Sequence, residues 1–89
     1  MLERDLTVVN DQGFHLRPAQ VFVTAAQKFK SSVRIKSMAN GKEADAKSLI
    51  AIMTLGLAKG SQFTLTTEGE DEAIALGELC DLVNKGFSE

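Results

Sequence analysis

Two apolar periods take turns along the 89 residues of this chain, and their order restricts the fold more than any other feature. "DLTVVND" alternates, with Leu6 and Val8 on one face and Thr7 and Val9 on the other, as in a strand. The polar stretch from Asn10 to Gly13 ends it. From about Arg17 or Pro18 to about Phe29 the period changes. Ala19, Phe22, Val23, Ala26 and Phe29 recur at three and four residues, one apolar stripe on a helix. Pro18 suits the first turn, where its missing N–H has no partner to lose. "SVRIKS" returns to period two, with Val33 and Ile35 inward. Asn40-Gly41 then marks a hairpin, since both residues tolerate positive φ, and "KEADA" supplies a short returning strand. Ser48 is a good N-cap for a short helix over Leu49 to Leu55, punctuated by Gly56 and Gly60. "SQFTLTTEG" is the clearest strand, with Phe63 and Leu65 alternating against Gln62, Thr64 and Thr66.

The acidic "EGEDEA" opens a last helix at the end of its dipole that favours negative charge. Ile74, Leu76, Leu79, Cys80, Leu82 and Val83 form its expected buried stripe, and Gly86 its stop. Gly77 lies inside, where it costs about 1 kcal/mol relative to alanine, and close packing against a neighbour would account for it. The order β-α-β-β-α-β-α contains a split βαβ unit. It predicts an α+β fold with an antiparallel sheet and helices on one face. The length leaves room for one domain, 1–89, and no second core.

Composition removes several function classes. Ten basic against twelve acidic residues give a net charge of -2, which argues against nucleic acid as a main partner. Without Trp or Tyr there is little to stack bases on. One cysteine, Cys80, makes no internal disulfide and reads as core. One His and one Cys far apart hold no metal. No phosphate-binding glycine loop is present, so no nucleotide cofactor is indicated. The N-terminal "MLERDLTVVND" lacks the apolar stretch of a signal peptide, and no apolar run approaches the ~18 residues of a membrane span. The expectation is a cytoplasmic chain without membrane insertion, free-standing on the strength of Met1 and the closing "FSE".

The one stretch that points to chemistry is "GFHLRPA", which holds the only histidine and the only proline. A histidine before a helix can simply cap it. Here Gly13 allows a tight turn, Pro18 fixes the helix start, and the first N–H groups are unpaired, an anion site to which Arg17 adds a guanidinium. An imidazole nitrogen there is a nucleophile whose phosphorylated form meets waiting donors. Ser48 caps its helix for about 1 kcal/mol, and a phosphate at that end would add negative charge without melting it. Leu49, Ile50, Ile52 and Met53 put more apolar residues on the short helix than one face can bury, so an exposed partner surface is expected. Lys28 and Lys30, with Arg17, read as a basic rim, or simply as charges complementing the C-terminal end of the helix dipole.

"GFHLRPA", "AKSLIAIMTLGLAKG" and "TTEGEDEA", in that order, resemble the HPr family, the histidine phosphocarriers of the bacterial phosphoenolpyruvate-dependent phosphotransferase system. The resemblance covers nearly the whole chain. It implies an open-faced β-sandwich, a four-stranded antiparallel sheet with three helices on one face. It implies that His15 takes a phosphoryl group on Nδ1 from Enzyme I and passes it to an Enzyme IIA domain. Arg17 matches the family's phosphate-stabilising arginine. Ser48 matches the serine that HPr kinase/phosphorylase modifies in some bacteria. Leu16, Gln20, Leu49, Ile50 and Met53 match its docking positions, and a monomer is implied. Leu16 stands where many members have a smaller residue, and "IKSMANG" is slightly longer than usual. The ending "LVNKGFSE" looks more like the nitrogen-related branch than the sugar branch. A docking module acting through the Ser48 helix, and a ferredoxin-like ligand-binding domain, are the alternatives. The second leaves His15, Leu16, Arg17 and Pro18 without a purpose.

Overall fold

A computed structural model describes residues 1–88. The strands are β1 (Leu2–Thr7), β2 (Ser32–Ser37), β3 (Glu43–Asp45) and β4 (Gln62–Glu68). The helices are α1 (Leu16–Gln27), α2 (Leu49–Thr54) and α3 (Glu72–Asn84), and a 3-10 turn spans Gly86–Ser88. The strands form one sheet in the order β1-β4-β2-β3, with every neighbouring pair antiparallel. β4 sits between two partners, with Leu65 opposite both Arg4 and Ile35. That placement explains why its alternation was the clearest in the chain.

Val33, Ile35, Phe63 and Leu65 project from one face of the sheet and are buried, whereas Arg34 and Lys36 face water. Phe22 and Ala26 of α1, Ile52 of α2, and Leu79 and Val83 of α3 close over them. The result is the open-faced α+β sandwich, with one face of the sheet covered. Each large side chain buried there contributes about 1.5–3 kcal/mol, so this single layer carries most of the fold's stability. No helix among the described residues is long and apolar enough to cross a membrane.

Several local expectations need correction. α1 starts at Leu16, ahead of Pro18, and ends at Gln27 rather than Phe29. The β2–β3 hairpin is a four-residue loop closed by the Ser37 N–H donating to the Lys42 carbonyl at 2.8 Å. Only Gly41 has positive φ, +73°, while the Asn40 side chain accepts from the Lys42 N–H at 2.9 Å. Ile74 is 63% exposed and Ala75 is buried in its place. Ile74 precedes Leu76 by two positions, about 200° around a helix, and so faces away from the stripe. Gly77 packs against nothing: a Cβ there would meet no atom within 4 Å, and alanine has open space. Lys28 and Arg17 stand at opposite ends of α1, about 16 Å apart at 1.5 Å per residue. Lys30 reaches Glu70 at 4.0 Å, so the three cations form no common rim.

Asp71, at the start of α3, turns its carboxylate away from its own helix. It accepts from the N–H groups of Lys30 and Ser31, both at 2.9 Å, and from the Ser31 hydroxyl. This ties the α1–β2 connection to the β4–α3 connection. The Ser31 hydroxyl, then the Lys30 N–H, pull the Asp71 carboxyl down from 3.8 to about 2. A carboxylate whose folded pKa is depressed adds stability above its unfolded pKa and loses it as pH falls through the folded one. Thermal melts should therefore show Asp71→Asn with a lower midpoint than the parent at pH 7. That gap should narrow between the ordinary value, 3.8, and about 2.

Candidate phosphorylation site

The loop between β1 and α1 is held down before the histidine is reached. Gly13 has φ +66°, and a Cβ on it would lie 2.4 Å from the Leu57 carbonyl oxygen and 2.7 Å from Ala58 Cα. Only glycine lets the two backbones meet at this spacing. The contact is locked by the Phe14 N–H donating to the Leu57 carbonyl at 2.8 Å. Asn10, itself buried, donates from Nδ2 to the Gly13 carbonyl at 2.7 Å. Outside, Lys59 and Asp11 bridge the same two loops at 2.9 Å, and the hydrogen bond from Lys59, followed by its charge, lowers the Asp11 carboxyl.

Phe14 anchors the next position. It is buried and its ring meets Phe22 at 5.4 Å, Phe63 at 5.9 Å and Phe87 at 4.9 Å, all edge-to-face. Such pairs add about 0.5–1.5 kcal/mol each beyond the area they bury. The rings come from α1, β4 and the C-terminal turn, so the residue directly before His15 is fixed by the three-dimensional core.

His15 then emerges as the N-cap of α1, with φ −83° and ψ −173°, and its carbonyl accepts the first helical bond from the Ala19 N–H at 3.0 Å. The side chain caps nothing. Its Nδ1 is buried and has no hydrogen-bond partner among the described residues. An unsatisfied buried polar atom costs about 1–3 kcal/mol, so a packing role alone does not explain it. The N–H groups of Leu16 and Arg17 precede the first helical bond, and Pro18 has none to offer. Arg17 is exposed and takes part in no ion pair among the described residues. An open basin of about 700 Å³ runs across Gln12, His15, Leu16, Arg17 and Gln20. An imidazole, a free guanidinium and an unpaired helix start thus share one solvent-facing surface, which suits a transferable anion.

Of the other expected residues, Leu16 and Gln20 line the basin. Leu16 is 54% exposed and Gln20 is exposed beside it. On α2, Ile52 is fully buried, Leu49 is half-buried, and Ile50 and Met53 face outward, Ile50 by 79%. The Ser48 hydroxyl accepts from the Ala51 N–H at 3.3 Å as the N-cap. α2 leads within three residues to Leu57, which holds Phe14. The roles of Asn10, Phe14 and Phe87 went unread, because only Phe14 stands beside the motif and its ring partners are distant in sequence.

The family model for the HPr component phosphorylation site of the phosphotransferase system matches residues 2–85. The chain belongs to the HPr family. Phosphocarrier protein HPr of Buchnera aphidicola subsp. Baizongia pistaciae is 43% identical over 79 residues, 89% of this chain and 91% of that one. Among solved structures, HPr-C-His from Thermoanaerobacter tengcongensis superposes with a TM-score of 0.95 at 38% identity. That match covers 100% of this chain and 98% of the other. HPr from Bacillus anthracis str. Ames gives 0.87 at 36% identity over 92% and 95% of the two chains. This member of the HPr family is thus a phosphocarrier of the phosphotransferase system, and its fold is that of HPr. Because the Gly13 contact leaves no room for a methyl group, Gly13→Ala should destabilise the fold by about 1–3 kcal/mol. It should also shift the His15 ring signals in a proton–carbon NMR spectrum, whereas unchanged signals would mean that the contact does not position His15.

Proposed function

We propose that His15 accepts a phosphoryl group from phosphorylated Enzyme I and passes it to an Enzyme IIA domain in sugar uptake. The observation that carries this reading is the unpartnered Nδ1 at the start of α1, beside the basin that Arg17 lines. Nδ1 is shielded in the resting ring, so transfer begins with a turn of the imidazole that brings this nitrogen to the basin. Its lone pair then forms the new N–P bond as the donor's N–P bond breaks, and the donor imidazole keeps that electron pair. The anionic phosphoryl oxygens are met by Arg17 and by the N–H groups of Leu16 and Arg17. Handing on reverses the sequence with the acceptor's nucleophile. Phosphoryl transfer asks little of the protein beyond position and charge, which suits a surface with no enclosed pocket. No cofactor takes part.

Leu16, Gln20, Leu49, Ile50 and Met53 supply the partner-docking surface. The exposed apolar side chains of Leu16, Ile50 and Met53 favour a short-lived complex with Enzyme I and then Enzyme IIA. Residues 1–89 act as one phosphocarrier domain, monomeric in this reading, and cytoplasmic like the system it serves. Phosphorylation of Ser48 by an HPr kinase/phosphorylase would add roughly −1.5 to −2 charge to this surface, repelling a docked partner without melting α2. A nitrogen-branch carrier with a mainly regulatory output is the second reading, supported by the ending "LVNKGFSE".

Intact mass after incubation with phosphoenolpyruvate and Enzyme I tests the proposal. One acid-labile phosphoryl group is expected, absent in His15→Ala and discharged by an added Enzyme IIA domain. Loading by nitrogen-branch Enzyme I alone would replace the sugar-uptake reading by the second one. No loading from either donor would contradict both and leave a docking module.

A further inference from the structure

We infer that Phe87 is a positioning residue for His15, and that the C-terminal turn is the floor of the transfer site. The proposal rests on the phosphocarrier reading above and adds to it a residue far from the motif in sequence. Three observations carry it. First, Phe87 has φ +59° and ψ 29° and is the only non-glycine residue at positive φ among those described. A bulky side chain is costly in this region, and such strain persists only where surrounding contacts hold it. Second, the conformation sends the ring inward. Phe87 is 3% exposed and lies 4.9 Å from Phe14, the shortest of the four ring separations, and 6.2 Å from Phe22 on α1. Third, the same turn touches the loop at another point. A Cβ on Gly86 would come within 3.4 Å of Asn10 Cβ, and Asn10 is the residue that holds the Gly13 carbonyl.

The turn therefore supports the histidine loop from below at Phe14 and at Asn10, on either side of Gly13. Phe14 is joined to His15 by one peptide bond, so freedom given to its ring becomes freedom in where the imidazole starts. A reacting nitrogen out of place by about 1 Å can cost as much as a hundredfold in rate, with little effect on partner affinity. Phe87 itself touches neither phosphate nor partner in this account; it acts through Phe14.

Phe87→Leu and Phe87→Ala test this beside Val33→Ala, a core control in β2, far from the loop in sequence. The readouts are phosphoryl uptake from Enzyme I, with kcat and KM separated, and the His15 ring signals in NMR spectra of the unphosphorylated proteins. Phe87→Ala should lower kcat about tenfold or more at unchanged KM and shift the His15 signals. Phe87→Leu should recover most of both, and Val33→Ala should leave both near the parent values even with a similar fall in melting temperature. Should Phe87→Ala fail to fold, Phe87→Leu alone decides, with a shifted His15 signal and a reduced kcat expected against Val33→Ala. Parental kcat and unmoved His15 signals in the Phe87 variants would overturn the inference while leaving the carrier reading intact. A parent that takes up no phosphate removes the carrier reading, and the ring signals then still report whether Phe87 positions His15.

Discussion

The burial of Phe14 is the contact on which the rest of the structure depends. It places a core residue and the only histidine next to one another in the chain. The ring is held by partners from α1, β4 and the C-terminal turn, so the sandwich must be assembled before the position of His15 is defined. Gly13 completes the arrangement on the other side, where the Leu57–Ala58 backbone presses against a position with no Cβ. A reactive side chain on an exposed loop is ordinarily mobile. Here the loop inherits the rigidity of the core while the imidazole stays at the surface, as the proposed transfer between two partners requires.

The same economy governs the electrostatics. His15 and Arg17 meet no ion-pair acid among the described residues, whereas the Asp71 and Asp11 carboxylates, both lowered, are engaged elsewhere in tying loops together. Those two carboxylates are engaged by the loops they tie, while the groups at the start of α1 are left open. An exposed helix end contributes about 0.3–1 kcal/mol toward an anion, enough to favour a bound phosphoryl group and too little to trap it. Reversible transfer needs that middle range.

Much of this was legible in the sequence because its elements are short and their periods distinct. β4 and α1 could be placed to within one or two residues, and "GFHLRPA" pointed to His15 and Arg17 through residue chemistry alone. What escaped was non-local. Phe87 follows a glycine near the chain end and shows no sign of lying beneath Phe14. Ile74 was assigned to the buried stripe because six apolar residues crowd α3, and only helix geometry separates its face from that of Leu76. The proposed basic rim failed for a related reason, since proximity was inferred across the length of α1. Asn40-Gly41 marked the hairpin correctly, but the closing pair Ser37 and Lys42 follows from the β2–β3 register, with Lys36 opposite Glu43, which no local signal reveals.

The proposed transfer turns on one atom: Nδ1 of His15 carries the phosphoryl group, and the start of α1 receives its charge. Nitrogen–phosphorus coupling in the phosphorylated, nitrogen-15-labelled protein measures this directly. The account predicts phosphorus coupled to Nδ1, with the amide signals of Leu16 and Arg17 moving on phosphorylation. Phosphorus on Nε2, or amide signals at Leu16 and Arg17 that stay in place, would contradict it.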